Sequence, residues 1–385
     1  MKNYFSSDFK LGVLGGGQLG RMLLTETQKL DIYTSILDPN NEAPCAQISN
    51  EFHQGDLLDF DTVYQFGKKV DLLTIEIENV NIDALDKLEA EGLSIYPKPS
   101  NLRTIQNKAL QKAFYQENNI PTAEFLRFSS LDNLKEAISN QKATLPFVWK
   151  SARFGYDGNG VKMVRSIQDL EGLPKGECIA EKLVPFKNEL AVIVARNAKG
   201  ETKTYPVVEM EFHPEANQVE YVLCPARIDD SVAEKAKNVA LKVADAFDFV
   251  GLLAVEMFQT KEDHILVNEV APRTHNSGHY SIEASYTNQF EQHVRSILNL
   301  PLGNTESKVA GIMVNLVGAE GYTGDVVYQN IEQILGIEGV TPHIYGKKHT
   351  KPFRKMGHVT IVNSDINKAR EIAQQVKETI KVISK

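Results

Sequence analysis

The sequence predicts an α/β chain that passes into α+β: a Rossmann-like N-terminal region followed by largely antiparallel sheet. Three observations carry that prediction. Strand-like and helix-like segments alternate over residues 10–100, which marks an open, mostly parallel sheet. A glycine-rich strand-to-helix turn, "LGVLGGGQLGR", occupies residues 11–21. A run of β-patterned segments fills residues 177–225 and is followed by the pair "GLLAVEMF" and "HILVNEV".

In order, "KLGVLG" predicts a strand, "GQLGRMLLTETQKL" a helix and "YTSILDP" a second strand. "TVYQFGKKV" predicts a helix, "DLLTIEIENV" a strand, and "IDALDKLEAEGLSIYP" a helix followed by a strand. Pro97 and Pro99 mark a boundary. "NLRTIQNKALQKAFYQENN" predicts a helix and "IPTAEFLRF" extended chain. Ser130 is placed to cap the helix "SLDNLKEAISN". "TLPFVWK" and "VKMVRS" predict strands flanking a glycine-rich connection. "ECIAEKLV", "ELAVIVARN", "TKTYPVVEMEF" and "QVEYVLCPA" each predict one strand. Helix "DSVAEKAKNVALKVADAF" precedes strands at 252–258 and 264–270; helix "QFEQHVRSILNL" ends at Pro301, and a smaller mixed α/β region closes the chain.

Composition narrows the function classes. A chain of 385 residues, 42% hydrophobic and 24% charged, suggests a soluble protein of two or three domains. A net charge of −8 argues against general nucleic-acid binding, no run approaches a membrane span, and "MKNYFSSDFK" lacks a signal peptide's apolar stretch. Cys45, Cys178 and Cys224 match no zinc or CxxC spacing and suggest a reducing, cytoplasmic setting; Cys178 reads as a buried structural thiol.

Five stretches carry chemistry. Gly15-x-Gly17-x-x-Gly20 has dinucleotide-binding spacing, so an NAD-dependent dehydrogenase, with Asp38 ending the second strand, is one reading. In the 252–270 pair, an even loop centred between Glu262 and Asp263 sets Glu256 opposite Glu269 on one face of the sheet. Opposed carboxylates in apolar strands repel unless a divalent cation sits between them, and magnesium favours a few carboxylates plus phosphates. Asn268 alternates to the other face, so only a distortion brings it to the same ion. "FVWKSARFGYDGNGVKMV" sets Lys150 before a loop with Gly155, Gly158 and Gly160, whose amides suit phosphate oxygens; it is not a Walker A loop. "APRTHNSGHYSIE" packs Arg273, His275, Asn276, Ser277 and His279 into seven positions, and "GKKHTKPFRKMGH" is a basic cluster of Lys347, Lys348, Lys351, Arg354 and Lys355. Isolated acids such as Glu181 ordinarily face water.

At "GVLGGGQLGRM", "TIEIENV", "FGYDGNGV", "EKLVPFKNELAVIVAR", "NEVAPRTHNSGHYSIEA" and "FRKMGHV" the chain resembles the ATP-grasp ligases. Within them it is similar to the N5-carboxyaminoimidazole ribonucleotide synthetase family, in family order across nearly the whole length. The resemblance implies an ATP-grasp fold with a Rossmann-like pre-ATP-grasp domain at 1–98. A small ATP-grasp subdomain with its glycine-rich flap follows at 99–189, and a large subdomain with a C-terminal α/β extension at 190–385. It implies ATP-dependent carboxylation of 5-aminoimidazole ribonucleotide with bicarbonate, through carboxyphosphate, in purine biosynthesis. Lys108 and Lys150 would contact ATP phosphates, under a flap of Phe154, Gly155, Tyr156, Asp157, Gly158, Asn159 and Gly160. Glu181, Lys182, Leu183 and Val184 would hold adenine, Glu189 the ribose, and His213 would lie beside the nucleotide. Glu256 and Glu269 would ligate two magnesium ions, or manganese, with Asn268 close by. Gln18, Glu76, Tyr156, Asp157, Arg273, His275, Asn276, Lys347 and Arg354 would bind the ribonucleotide. Lys150, Arg273 and His275 are the catalytic candidates.

The resemblance also implies a homodimer that acts on small molecules, and the charge and hydropathy already argue against nucleic-acid and membrane partners. Asn159 departs from the family's GYDGKG flap, and Lys351-Pro352-Phe353-Arg354 from its RPGRKMGH tail. Alternatives are another ATP-grasp ligase, such as a formate-using purine transformylase, and a non-catalytic ATP-binding sensor.

Overall fold

Five parallel strands open the chain in the computed structural model, which describes residues 3–153, 160–213 and 218–385. They are β1 (Lys10–Leu14), β2 (Tyr33–Asp38), β3 (Glu51–Gln54), β4 (Leu72–Ile75) and β5 (Ser94–Tyr96), in the spatial order β3-β2-β1-β4-β5. Helices α1 (Gln18–Lys29), α2 (Phe60–Gly67) and α3 (Ile82–Ala90) supply the crossovers. Strand order reverses between β1 and β4, so the glycine turn that ends β1 stands at the crevice where such sheets bind ligands. Sequence patterning misses β3, whose Glu51, Phe52 and His53 are only half buried at the sheet edge. β4 is shorter than the run "DLLTIEIENV" predicts, because the chain leaves the sheet at Glu76.

Helices α4 (Pro99–Ile105) and α5 (Lys108–Glu117) lead into a second sheet. Pro99 sits at the first helical position of α4, where its missing N–H costs nothing. Asn107 caps α5, accepting from the amides of Ala109 and Leu110 at 2.8 and 3.1 Å, which puts Lys108 at the head of the helix. β6 (Phe125–Phe128), α6 (Leu131–Ser139), β7 (Phe147–Ser151), β8 (Val161–Val164) and β9 (Cys178–Lys182) follow. Ser130 caps α6 as predicted, accepting from Asn133 N at 3.2 Å. The four strands are antiparallel in the order β6-β9-β7-β8 around Trp149, Phe147 and Leu134.

A nine-stranded antiparallel sheet holds most of the remainder. Its strands are β10 (Phe186–Arg196), β11 (Thr202–Thr204), β12 (Val208–Phe212), β13 (Val219–Cys224), β14 (Gly251–Thr260), β15 (Ile265–Ala271), β16 (Ala310–Val317), β18 (Val340–Ile344) and β20 (Lys355–Asn363). They run β15-β14-β10-β12-β13-β16-β20-β18, with β11 paired to β10. "TKTYPVVEMEF" is two strands, not the single one predicted; the break falls at Pro206, which has no N–H to give a ladder. Helix α7 (Asp230–Ala246) packs Val232, Ala236, Ala240 and Val243 onto Leu190, Val192, Leu253 and Val255. Short α8 (Ser281–Ala284) and α9 (Gln289–Ile297) return the chain to the first sheet; α9 places Phe290, Val294 and Ile297 among Leu11, Val13 and Leu23. β17 (Gly324–Gln329), α10 (Ile331–Ile334), β19 (His349–Thr350), α11 (Ile366–Thr379) and β21 (Lys381–Ser384) complete the chain. Cys45, Cys178 and Cys224 are all buried free thiols, in line with the structural reading of Cys178. Among the described residues no helix is long and apolar enough to cross a membrane.

Candidate active site

The glycine turn is already supplied with anions. Gly16 N donates to Asp38 Oδ2 at 2.7 Å, and Gly17 N and Gly20 N donate to the two carboxylate oxygens of Glu76 at 2.8 and 3.0 Å. Glu76 thus fills the position at the α1 N-terminus that a pyrophosphate takes in a dinucleotide site. Its burial pushes its carboxyl up despite those two amides. A Cβ on Gly17 would stand 2.5 Å from Glu76 Oε1, so here the glycine admits a side chain of the protein itself. Gln18, the first residue of α1, is half buried at the same turn.

The β14–β15 hairpin opposes Glu256 and Glu269 as the sequence predicts, by a different route. Its turn is odd, not even: Thr260 N bonds His264 O at 2.9 Å, and Gln259 faces Ile265. Asp263 takes a left-handed φ of 59°, as a three-residue loop requires. That register would set Glu256 opposite Asn268. A one-residue bulge between Met257–Val267 and Glu256–Glu269 absorbs Asn268 and restores the carboxylate pair. The bulge also supplies the distortion Asn268 needs: its Oδ1 accepts from Lys150 Nζ at 2.9 Å.

Around this pair the cations converge. Lys108 Nζ pairs with Glu269, and that charge, against burial, holds Glu269 well below the usual carboxylate range. Burial lowers the Lys108 ammonium, but Glu269 more than offsets this and leaves it raised. Lys150 Nζ lies 2.8 Å from Glu181 Oε2, its diagonal neighbour across β7 and β9. Lys112 Nζ lies 3.1 Å from Glu181 Oε1. The expectation that Glu181 faces water is wrong: it is buried, and the two lysines outweigh burial to hold it ionised. Glu189 lies within β10, and burial together with Glu256 raises its carboxyl to about 7. The donor set suits magnesium, whose ordinary sites combine one or two carboxylates with substrate phosphates; among the described residues no cluster of three or more His, Cys, Asp or Glu forms a metal cage by itself.

The "RTHNSGH" loop connects this cluster to the first sheet. Arg273 Nε lies 2.9 Å from Glu78 Oε1, just beyond the end of β4. His275 Nε2 lies 3.2 Å from Glu256 Oε1, and Asn276 exchanges amide hydrogen bonds of 2.9 Å with Asn315. His279 is not at the site surface: it is buried, bonded to Gln289 Nε2 at 2.9 Å and stacked on His358 with ring centroids 4.7 Å apart. Of the basic stretch, Lys347 Nζ donates to Lys355 O at 2.8 Å, Lys348 pairs with Glu42 at 2.5 Å, and Arg354 Nη1 donates to His349 O at 2.6 Å. His213 approaches Phe353, ring centroids 6.2 Å apart, and Phe353 itself has a φ of 60°. Lys182 pairs with Glu124 at 3.2 Å, and Leu183 and Val184 are half buried between β9 and β10. The flap residues Phe154, Gly155, Tyr156, Asp157, Gly158 and Asn159 lie outside the described residues; Gly160, at their edge, has a φ of 75° and accepts from Ser151 N through its carbonyl at 2.8 Å. Sequence reasoning misses Lys112, although its place four residues after Lys108 sets both on one face of α5. Glu78 is missed too; the alternation Glu76-x-Glu78 is its only signal.

Three family models match in succession. They are the ribonucleotide synthetase preATP-grasp domain over residues 9–106, the ATP-grasp domain over 113–290, and the phosphoribosylaminoimidazole carboxylase C-terminal domain over 311–372. A chloroplastic phosphoribosylaminoimidazole carboxylase of Vigna aconitifolia is 39% identical over 367 residues; the match covers 93% of this chain but only 64% of that protein's length. The crystal structure of N5-carboxyaminoimidazole ribonucleotide synthetase from Thermotoga maritima is 41% identical with a TM-score of 0.89, covering 98% of this chain and 100% of that one. N5-carboxyaminoimidazole synthase of Aspergillus clavatus, solved with ADP and 5-aminoimidazole ribonucleotide, is 36% identical with a TM-score of 0.88, covering 97% and 98%.

Proposed function

The chain belongs to the N5-carboxyaminoimidazole ribonucleotide synthetase family of ATP-grasp proteins, and from that premise we propose that it carboxylates 5-aminoimidazole ribonucleotide with bicarbonate and ATP. The observation that carries the reading is the bulged hairpin, which gathers Glu256, Asn268 and Glu269 against Lys108 and Lys150. Two carboxylates with an adjacent pair of lysines fit a polyphosphate and its cations better than a dinucleotide. The glycine turn supports the same choice, since its amides are committed to Asp38 and Glu76. The compared proteins' names speak of a carboxyl and not a formyl group, which supports bicarbonate over formate in this reading.

Bicarbonate oxygen attacks the γ-phosphorus; the bond to the β-phosphate oxygen breaks, releasing ADP and leaving carboxyphosphate. The exocyclic amine of the ribonucleotide then attacks the carboxyl carbon, or carbon dioxide freed from it; phosphate leaves, the nitrogen loses a proton, and a carbamate results. Lys108 and Lys150 bind the phosphates and offset their charge; Lys108 exchanges its carboxylate partner for phosphate as it does so. Residues 181–184 take the adenine and Glu189 the ribose, with His213 at the margin. The 154–160 loop closes over the phosphates, and exclusion of water protects the labile acyl phosphate. Arg273 and His275 hold the bicarbonate or carboxyphosphate. Gln18, Tyr156, Asp157, Asn276, Lys347 and Arg354 orient the ribonucleotide, while Glu76 shapes the wall behind it. Glu256 and Glu269, with Asn268, would hold magnesium or manganese, which when bound neutralises charge on the phosphoryl oxygens. The three-part division at residues 98 and 189, a homodimer and a cytoplasmic setting belong to the same reading.

Coupled ADP release tests it. Turnover should require bicarbonate, rise with 5-aminoimidazole ribonucleotide and ignore formate. Bicarbonate-dependent ATP hydrolysis that the ribonucleotide leaves unchanged would sink the assignment.

A further inference from the structure

The assignment of Lys108 and Lys150 to the phosphates leaves a third lysine without a role. Lys112 is 2% exposed, against 7% for Lys150 and 4% for Glu181, so three formal charges share one nearly dry space. Burying an ammonium is costly unless partners supply its hydrogen bonds, and structural needs alone are met by an apolar side chain of similar volume. Lys112 has one hydrogen-bond acceptor and one ion-pair partner. Its Nζ lies 3.1 Å from Glu181 Oε1 and donates to Thr122 Oγ1 at 2.6 Å; Thr122 in turn donates to the carbonyl of Val267, also at 2.6 Å. Val267 is the last residue in register before the bulge at Asn268, and its amide is held by Pro121 O at 2.7 Å. Lys112 therefore reaches both supports of Lys150: the carboxylate directly, and the strand that carries Asn268 through Thr122.

We propose that Lys112 is a positioning residue that divides Glu181 between two lysines, so that Lys150 keeps an ammonium proton free for the nucleotide's phosphates. A carboxylate with one cationic neighbour draws that neighbour onto both oxygens, whereas here Lys112 stands in an ion pair 3.1 Å from Oε1 and Lys150 is confined to its own pair with Oε2 at 2.8 Å and its hydrogen bond to Asn268 Oδ1 at 2.9 Å. An ammonium has three donors; Lys150 gives one to Asn268 and turns towards Glu181 as an ion pair, which leaves a donor for phosphate. Removing Lys112 lets Glu181 capture Lys150 and withdraw it from Asn268. The net charge of the trio also falls from +1 to zero, which weakens its pull on an anion. Burial lowers the Lys112 ammonium to about 8, against the opposing pull of Glu181, so it carries its proton at neutral pH.

This inference rests on Lys150 binding phosphate, and the test separates the two. The affinities of AMP and of a non-hydrolysable ATP analogue with Mg2+ are measured by calorimetry for the full chain and for Lys112→Met, Lys112→Arg, Lys150→Ala, Glu181→Gln and Lys112→Met/Glu181→Gln. Lys112→Met should lose about tenfold in affinity for the triphosphate, the worth of one charge-assisted hydrogen bond, and leave AMP within about twofold. Lys112→Arg should recover most of the loss. In the Glu181→Gln background, removing Lys112 should cost little, since its effect runs through that carboxylate. Equal losses for AMP and triphosphate would mean that Lys112 only props up the adenine strand, and would overturn the proposal. So would an undiminished Lys112 effect in the Glu181→Gln background. If Lys150→Ala itself binds the triphosphate normally, the phosphate assignment fails, whatever Lys112 does.

Discussion

At the scale of single residues, the tautomer of His275 is fixed by its neighbour. Ser277 N donates to His275 Nδ1 at 3.3 Å, and Ser277 Oγ lies 2.9 Å from the same nitrogen. A backbone N–H aimed at Nδ1 requires the ring proton to sit on Nε2, which lies 3.2 Å from Glu256 Oε1. His275 therefore orients a carboxylate proposed to hold the metal. Gln289 fixes the ring's backbone from behind, bonding His275 N and O, both at 2.8 Å. Outer-shell partners of this kind are worth roughly 10–100-fold in metal affinity or activity. Ser277→Ala keeps the backbone donor and loses the hydroxyl, so it belongs at the lower end. The Mg2+ concentration giving half-maximal ADP release should rise about tenfold, with KM for the ribonucleotide little changed. A rise in the ribonucleotide KM alone would place His275 on the substrate and not on Glu256.

At the scale of elements, the N-terminus of α1 and the β14–β15 hairpin each complete a motif with a residue that local patterning does not reveal. Gly17 has a φ of −77°, which any residue adopts, so its requirement is space for Glu76 alone. Gly17→Ala should displace that carboxylate from two helix amides and destabilise the chain by about 2 kcal/mol in a denaturant titration. Wild-type stability in that variant would show that the carboxylate can be re-seated without loss. The turn itself was legible in the sequence, because glycines after an apolar strand have few other uses. Its ligand was not, since Glu76 lies 59 residues from Gly17. Likewise, alternation paired Glu256 with Glu269 and assigned Asn268 to the opposite face. An odd turn and a bulge, each invisible to period-2 reasoning, shift the register in compensating directions. Lys112 was readable as a partner of Lys108 along α5, but its burial depends on β9 and Thr122, and neither is local.

At the scale of the whole molecule, buried histidines join parts of the chain that are far apart in sequence. His293 on α9 lies 3.0 Å from Thr74 Oγ1 on β4, next to the contact of Asn288 Nδ2 with Glu26 Oε1 at 2.9 Å. His279 stacks on His358 of β20, which stacks on His343 of β18 with centroids 4.4 Å apart. Tyr345 Oη lies 3.0 Å from His358 Nδ1, and His343 Nε2 lies 2.7 Å from Glu283. Burial pushes His293 down to about 4 and holds His279 and His358 well below the ordinary imidazole range. The unfolded chain protonates these rings near 6.5, so between that pH and about 4 it binds more protons than the native chain, and stability falls as pH falls. Glu189, raised to about 7, and Glu76, also pushed up by burial, act in the opposite sense, since a native carboxyl of this kind keeps a proton that the unfolded one loses above about 4.5. Three histidines outweigh two carboxyls, so unfolding free energy should decline from pH 6.5 towards pH 5. His293 alone contributes about 2 kcal/mol of that loss. His293→Gln keeps a donor towards Thr74 but carries no titrating proton. Its denaturant midpoint should therefore vary less between pH 7 and pH 5 than that of the unaltered chain; an equal slope would mean that the junction between the first sheet and α9 opens before it is protonated.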